Sequence, residues 1–248
     1  MRILFEDNLI TVCIKEPGIS SEETQNAPKT GAQGAADGQK PPVASVPALL
    51  REHWQNPSAY VGVVHRLDLG VGGLMVYART PAAAAALSRQ VADRSFEKQY
   101  LCLCAGVPDP ACGQMRDLLF KDSRTRKVFP VAKARKGAKE ALLDYEVLAR
   151  GSLAPAAAGQ TAAGYCAPAA DPCPVALCRV TLHTGRTHQI RVQFASRRHP
   201  LLGDGKYGSR VKGGIALQCS RLAFDHPKTG RRMEFELPAP EHWPLREI

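Results

Sequence analysis

One carboxylate, Asp68, lies in the middle of a short polar segment with an apolar run on each side. The runs at 61–64 and 74–78 are brief and rich in β-branched residues, which predicts two buried strands. Glycines occupy three of the five positions after Asp68, and they permit backbone angles and close approaches that a side chain would prevent. The pattern therefore predicts a tight corner that presents Asp68 at the edge of a cleft, where a carboxylate can act as a nucleophile.

The same segment has a plainer interpretation, because Arg66 precedes Asp68 by two residues. The two side chains could form an ion pair that only stabilises a connection between strands. The segment taken alone leaves both interpretations open.

A second group of polar side chains occupies residues 184–192, which read Thr-Gly-Arg-Thr-His-Gln-Ile-Arg-Val. The apolar residues there fit both a strand and a helix, and we predict a short helix from Thr187 to about Arg197. Thr187 can cap this helix, whose N-terminal amides would help to hold an anion such as a phosphate.

The segment His65-Arg66-Leu67-Asp68, followed by Gly73-Leu74, resembles the central motif of the RluA-type pseudouridine synthases. Further matches follow in the family's order at 3–7, 15–18, 98–100, 184–192, 199–204, 207–208 and 222–227. The resemblance covers nearly the whole chain apart from two insertions. One departure is Val71-Gly72, where many members have Thr-Ser, and it removes two hydroxyls beside the aspartate.

This resemblance implies an enzyme that isomerises specific uridines in structured RNA, ribosomal or transfer, to pseudouridine. It implies that Asp68 is the nucleophile, that Arg191 is its partner, and that Tyr100 stacks on the displaced uracil and helps to move a proton. A uridine inside helical RNA must be flipped out or already unpaired to reach the carboxylate. The other side chains expected to contact RNA are His65, Arg66, Arg186, Thr187, His188 and Gln189. The family uses no cofactor, so we expect none.

Two other functions stay open at this point. One is an RNA-binding module without catalysis, against which the joint presence of Asp68, Tyr100 and Arg191 argues. The other is a carboxylate-dependent nucleoside hydrolase, which needs a second, acidic carboxyl group, so that Asp204 or Asp225 would have to serve. The sequence decides neither the RNA and its uridine nor the covalent or elimination route of the aspartate.

Charge favours a polyanionic partner. Lys and Arg number 33 against 23 Asp and Glu, which gives a net charge of +10, and such an excess suits nucleic acid. No apolar run approaches the ~18 residues of a membrane span, and the N-terminus lacks a signal-peptide pattern. We therefore expect a cytoplasmic protein that does not bind membranes, and we expect a monomer.

The eight cysteines include no Cys-x-x-Cys pair and are too sparse for a disulfide scaffold. Cys102 and Cys104 alternate on a predicted strand, where cysteine acts as a small hydrophobic residue. Cys166, Cys173 and Cys178 are irregularly spaced among Ala and Pro, so we expect no metal site.

The elements that position these residues predict an α+β fold, because strands follow one another without regular alternation with helices. The family resemblance implies the pseudouridine synthase fold, a mixed and largely antiparallel sheet flanked by helices, with the active cleft across its middle. We expect one catalytic domain over 1–248 with mobile insertions at 24–45 and 151–174, and no separate N-terminal RNA-binding domain.

Local signals add two helices, at 46–54 and, with Thr80 as cap and Pro81 at its start, at 81–93. The Lys- and Arg-rich stretch 121–139 predicts a hairpin or loop that either contacts phosphates or is simply solvated.

Overall fold

The computed structural model describes residues 1–23, 43–154, 164–165 and 172–245. They divide into two compact units. Unit 1 comprises Met1–Phe96 and Leu222–Phe235, and unit 2 comprises Glu97–Arg221 and Glu236–Ile248.

Strands outnumber helices in the described ranges. The strands are β1 (Arg2–Glu6), β2 (Ile10–Lys15), β3 (Gly62–Val63), β4 (Gly72–Ala78), β5 (Glu97–Ala105), β6 (Cys112–Lys121), β7 (Val128–Val131), β8 (Ala138–Leu153), β9 (Cys173–Leu182), β10 (Leu217–Asp225) and β11 (Arg232–Glu236). The helices are α1 (Val46–His53), α2 (Pro81–Asp93) and α3 (Gln189–Ser196), with a 3-10 turn at Gly205–Tyr207. Helices do not alternate regularly with strands, so the predicted α+β class is confirmed.

In unit 1, β4 directly follows the Asp68 segment and pairs with strands that precede it. It pairs antiparallel with β2, placing Lys15 opposite Gly73, and with β3, placing Val63 opposite Tyr77. β4 is buried along its whole length, which accounts for its continuous apolar sequence. β1 continues the sheet beyond β2.

Both helices of unit 1 begin as their sequences predict. Ser45 caps α1 by accepting a hydrogen bond from the Ala48 N–H at 3.3 Å, and Thr80 caps α2 by accepting one from the Ala83 N–H at 3.2 Å. A proline in the first turn of each helix supplies the required φ and lacks an N–H that would otherwise be unpaired. α2 ends at Asp93, before Arg94 in the left-handed region at φ 70°.

In unit 2, five antiparallel strands pair in the order β5-β9-β8-β6-β7. β5 and β9 place Tyr100 opposite Val180. Part of the core joins these strands to Trp243 near the C-terminus; its buried members are Leu101, Leu103, Leu153, Tyr165, Val175, Leu177, Leu202, Val211, Ala216 and Trp243.

The prediction of a mobile insertion at 151–174 is wrong at both ends of that range, because the residues there belong to strands. β8 runs to Leu153 and β9 starts at Cys173, and these two residues are paired in register. Tyr165, inside the same segment, is buried in the core of unit 2. Residues 155–163 and 166–171, and residues 24–42 of the first predicted insertion, lie outside the described residues.

Candidate active site

Asp68 occupies the connection between β3 and β4 and is half-buried. The Asp68 carbonyl accepts a hydrogen bond from the Val71 N–H at 3.0 Å, which closes the corner. This geometry favours glycine at two positions. Gly73 has φ of +120°, and a Cβ on Gly72 would lie 3.1 Å from Pro17 Cδ and 3.2 Å from the Lys15 carbonyl oxygen. The predicted corner is therefore confirmed, and its shape depends on glycine.

The backbone on each side of Asp68 is hydrogen-bonded to the segment that follows β2. Ser21 Oγ donates to the Leu67 carbonyl at 2.8 Å and accepts from the Leu67 N–H at 3.0 Å. The Gly18 N–H donates to the Leu69 carbonyl at 2.7 Å. The Tyr77 hydroxyl of β4 in turn donates to the Ser21 carbonyl at 3.0 Å. The position of Asp68 is thus fixed through both of its neighbours.

Lys15, at the end of β2, is a buried cation beside this corner. Its ammonium donates to the carbonyl oxygens of Glu16 at 3.1 Å, Ile19 at 2.8 Å and Leu69 at 3.4 Å. Burial lowers the Lys15 pKa from 10.5 to about 8, and attraction by the Asp68 carboxylate, followed by Glu16, opposes that shift. Lys15 therefore couples electrostatically to Asp68.

The two side chains before Asp68 that were expected to contact RNA differ in exposure. His65 is half-buried, its Nε2 accepts a hydrogen bond from the Val76 N–H at 3.2 Å, and its ring packs 5.4 Å from that of Phe96. Arg66 is exposed and pairs with Glu22 at 3.0 Å. The partner of Arg66 in unit 1 is thus Glu22. A contact of either residue with RNA stays a prediction.

Arg191, on α3 in unit 2, is held by a buried ion pair. Its Nε and one terminal nitrogen donate to the two carboxylate oxygens of Asp204 at 2.7 and 2.8 Å. The Arg191 and Asp204 side chains are only 7% and 1% exposed. Such a two-point pair fixes the plane of the guanidinium as well as its position. Arg191 is therefore a buried residue and not a surface arginine.

Tyr207 contacts Arg191, His188 and the strand β7. The Arg191 guanidinium lies 5.1 Å from the centre of the Tyr207 ring, within range of a cation–π interaction. The Tyr207 hydroxyl lies 2.7 Å from His188 Nδ1 and accepts a hydrogen bond from the Val128 N–H of β7 at 3.2 Å. Arg191, His188 and β7 are therefore joined through one phenol.

The start of α3 corrects the sequence prediction. The helix begins at Gln189, not Thr187, and the residue before it is His188 in the left-handed region at φ 52° with no side-chain cap. An Asn, Asp or His accepts this conformation more readily than most residues, so the chain turns at His188 and leaves Thr187 exposed outside the helix. Thr187 is therefore not the cap.

Gln189, one of the expected RNA contacts, is buried, and its amide braces the preceding loop. Gln189 Oε1 accepts from the Thr184 hydroxyl at 2.8 Å and from the Arg186 N–H at 3.0 Å, and its Nε2 donates to the Leu142 carbonyl at 3.1 Å. The Arg186 side chain is exposed and donates to the Glu140 carbonyl at 2.8 Å. Gln189 therefore shapes the loop that carries Arg186.

Tyr100, on β5, is buried apart from 6% of its surface. Its side chain hydrogen-bonds the Cys219 thiol, and burial raises the Cys219 pKa to about 12. Lys98, which shares a face of β5 with Tyr100, has a pKa lowered by burial, an effect that the charge of Cys219 opposes. Burial therefore shifts the pKa values of both Lys98 and Cys219 toward the neutral forms of these groups.

The thiols of β5 and β9 lie together in the core. Cys104 Sγ is 3.9 Å from Cys178 Sγ, and Cys102 is paired in register with Cys178. Burial raises the pKa of the Cys102 thiol. In the described parts of the chain, no group of three or more His, Cys, Asp or Glu could hold a metal ion, and no helix is long and apolar enough to cross a membrane.

Three residues of these sites were not singled out as site residues from the sequence, Lys15, Ser21 and Tyr207, and Asp204 was considered only as the second acid of a hydrolase, not as the partner of Arg191. Lys15 and the pair Asp204 and Tyr207 do lie in segments that resemble the family. Lys15 carried a further signal, a charge at the end of an apolar strand. The hydrogen bonds of Ser21 join residues 46 positions apart, so no local pattern marks it.

Comparison with known proteins gives one consistent result. A family model described as RNA pseudouridylate synthase matches residues 15–196. An uncharacterized RNA pseudouridine synthase of Aquifex aeolicus is 36% identical over 191 residues, which cover 73% of this chain and 54% of that protein. Ribosomal large subunit pseudouridine synthase D of Neisseria meningitidis serogroup A is 33% identical over 194 residues, covering 73% of this chain and 46% of that protein.

Solved structures agree on the fold. The chain is similar to human RNA pseudouridylate synthase domain containing 1 with a TM-score of 0.69 and 21% identity over 96% of this chain and 82% of that one. The chain spans about half the length of the curated relatives it matches.

Proposed function

Because the chain belongs to the RNA pseudouridylate synthase family, we propose that it isomerises uridine in RNA to pseudouridine. In this reaction the bond from ribose carbon 1 to the base nitrogen breaks, the base rotates, and carbon 5 of the base bonds to the same ribose carbon while its hydrogen moves to the nitrogen through a protein group or water. Atoms and electrons balance without an outside reagent. The observation that carries the proposal is the position of Asp68 inside the matched region, where Ser21 and Gly18 hold the residues on each side of it by hydrogen bonds.

Asp68 is the proposed nucleophile. A carboxylate can form a covalent intermediate with the base or the sugar, or it can promote elimination at the sugar. Its two neighbouring residues are tied to Ser21 and Gly18, so the carboxylate needs little ordering when a substrate arrives. The Lys15 cation attracts the charged form of Asp68.

Tyr100 and Arg191 complete the proposed catalytic set. Tyr100 would stack on the uracil and help to move its proton. Arg191, whose orientation Asp204 fixes in unit 2, would supply a positive charge to the reaction. Exposed Arg66 and Arg186, with His65, Thr187 and His188, would contact the RNA. Buried Gln189 would act by holding the Arg186 loop.

Ribosomal RNA is the substrate class that we favour, because a relative at 33% identity is named as a ribosomal large subunit enzyme. Transfer RNA is the other arm of the test. The proposal places the protein in the cytoplasm as a monomer with one catalytic domain. The nucleoside hydrolase alternative loses one of its two candidate acids, since both oxygens of Asp204 accept hydrogen bonds from the Arg191 guanidinium.

The test compares Asp68→Asn with Asp225→Asn, a control in the same unit. Ribosomal and transfer RNA labelled with tritium at carbon 5 of uridine would be incubated with each variant. Release of tritium and pseudouridine in the nucleoside digest would be measured. We expect wild-type and Asp225→Asn proteins to release tritium at similar rates, and Asp68→Asn to release none while unfolding at the wild-type temperature.

Three results would contradict the proposal. Near-normal turnover by Asp68→Asn would exclude the aspartate as nucleophile. Release of free uracil would indicate a hydrolase, since isomerisation leaves the mass of the RNA unchanged. Binding of both RNAs by the wild-type protein without tritium release would favour a module without catalysis.

A further inference from the structure

A basic hairpin lies at the β7 end of the sheet of unit 2. We define it as residues 118–139, which include the end of β6, the strand β7, the loop that leads to β8 and the first two residues of β8. The basic hairpin contains one acidic residue, Asp122, against eight basic ones. It therefore carries much of the chain's net charge of +10. The basic residues are Lys121, Arg124, Arg126, Lys127, Lys133, Arg135, Lys136 and Lys139.

The single acid offsets only one of the eight positive charges, and its carboxylate also holds the turn of the hairpin. Asp122 Oδ1 accepts a hydrogen bond from the Arg124 N–H at 2.8 Å, and its Oδ2 accepts one from the Thr125 hydroxyl at 2.9 Å. These hydrogen bonds lower the pKa of Asp122. The positive field around the hairpin is thus left for a partner from outside the chain.

An exposed aromatic side chain belongs to the same hairpin as these cations. Phe129 of β7 is 42% exposed and is paired in register with Phe120 of β6. The Arg135 guanidinium lies 3.9 Å from the centre of the Phe120 ring, so Phe120 is partly covered. Among described residues of unit 2, Phe129 is the one large hydrophobic side chain that is exposed.

The outward direction of Phe129 is fixed by its neighbour. Val128 is buried and packs with Leu119, Ala141 and Val192 of α3. Because side chains alternate along a strand, the anchoring of Val128 directs Phe129 to the opposite face. The Val128 N–H is also bonded to the Tyr207 hydroxyl, and the Lys206 ammonium donates to the Arg126 carbonyl at 2.7 Å. Phe129 therefore lies on a strand that these contacts hold in place.

We infer that Phe129 is a stacking platform for an unpaired base of RNA, with the surrounding Lys and Arg side chains binding phosphates of the same strand. An exposed ring inside a positive field favours a nucleic acid, since the face of an unpaired base can cover the ring while its backbone meets the charges. Bases in a duplex are already stacked and leave no face for the ring. The inference rests on the proposed function for its RNA and goes beyond it by naming single-stranded RNA, outside the uridine that reacts, as what this surface takes.

The experiment measures binding separately from catalysis. The probes are a fluorescein-labelled oligoadenylate RNA of about 12 nucleotides, within the site sizes of about 4 to 16 nucleotides of single-strand binders, and an RNA duplex of equal length. The variants are Phe129→Ala, Phe129→Trp and the control Leu4→Ala, which removes a similarly exposed side chain (37%) from β1. We expect Phe129→Ala to bind the single strand about 5- to 150-fold more weakly and the duplex equally well.

Two further readouts sharpen the result. The tryptophan of Phe129→Trp should retain affinity, and its fluorescence should be quenched by the single strand and not by the duplex. Lys133→Ala with Lys136→Ala should weaken both probes and flatten the salt dependence, by about 0.7 in slope for each lost contact to a single strand.

Unchanged single-strand affinity in Phe129→Ala would overturn the inference and leave the ring to a protein partner. Equal loss on both probes, or loss in Leu4→Ala, would also overturn it. Tritium release by the wild-type protein reports on the proposed function alone. An isomerase with no Phe129 effect would refute only the inference, whereas single-strand stacking without isomerisation would refute only the function.

Discussion

Because the Lys15 ammonium is buried, we expect part of the protein's stability to change with pH in the alkaline range. Its pKa is about 8 in the folded chain and 10.5 as the ordinary value. Between these two pH values the unfolded chain binds more protons at this group than the folded chain does, so the contribution of Lys15 to stability rises with pH. From about pH 7 to about pH 9 the linkage relation gives an increase of about 1.3 kcal/mol in the free energy of unfolding.

Other groups act in the opposite direction over the same range. Burial raises the pKa of Cys13 to about 12 and also raises that of Tyr77, so ionisation of these groups in the unfolded chain lowers stability as the solution becomes alkaline. A single pH profile would therefore mix the effects. The difference between wild-type protein and Lys15→Met isolates the lysine, because the methionine keeps the buried stem and does not titrate.

Urea unfolding of both proteins at several pH values between about 7 and 9 would supply the difference. The hydrogen bonds to three carbonyl oxygens that Lys15→Met loses change the difference in unfolding free energy by the same amount at every pH. The change of this difference with pH comes from the titration of Lys15. We expect the wild-type protein to gain about 1.3 kcal/mol relative to Lys15→Met over this range. A difference that stays flat would show that Lys15 keeps an ordinary pKa, and a difference that falls would show that the fold stabilises its charged form.

Two further predictions concern the groups of unit 2. Asp204→Asn should lower the free energy of unfolding by about 3 to 5 kcal/mol, because it leaves the buried Arg191 cation without its carboxylate. In the same urea titration, Glu146→Gln, which breaks the exposed ion pair with Arg179, should lower it by no more than about 1 kcal/mol. Equal losses in the two variants would refute the argument from burial. Tyr100→Phe should retain RNA affinity but lose about 10²- to 10⁴-fold in single-turnover rate, since it keeps the ring and removes the hydroxyl. An unchanged rate would remove Tyr100 from proton transfer, and loss of folding would assign it to the core.

The parts of the fold that the sequence predicted well are those with local causes. α2 begins and ends where Thr80, Pro81 and the residues up to Asp93 place it, because a cap and a proline act within one turn. The Asp68 corner followed from its glycines for the same reason. The α+β class followed from the order of the elements.

The missed features depend on distant residues. β6 was not predicted because its two buried apolar residues, Met115 and Leu119, have the charged Asp117 between them on the same face, which interrupts the apolar alternation of a strand. Its pairing with β7 and β8 decides its structure. Likewise, the lysine ammonium at position 15 meets the Leu69 carbonyl across 54 residues of chain. Such contacts follow from topology, which one sequence does not display.

The double hydrogen bond between Ser21 and Leu67 has a consequence for how variation is tolerated near the nucleophile. The hydroxyl recognises only the main chain of Leu67, so it is indifferent to which side chain stands there. A change of side chain at position 67 would therefore leave both of these hydrogen bonds possible, whereas Gly72 and Gly73 are constrained by the shape of the corner. Selection is therefore expected to act on the small hydroxyl of Ser21, which lies 46 positions away from Leu67 in the chain, as well as on the residues of the corner itself.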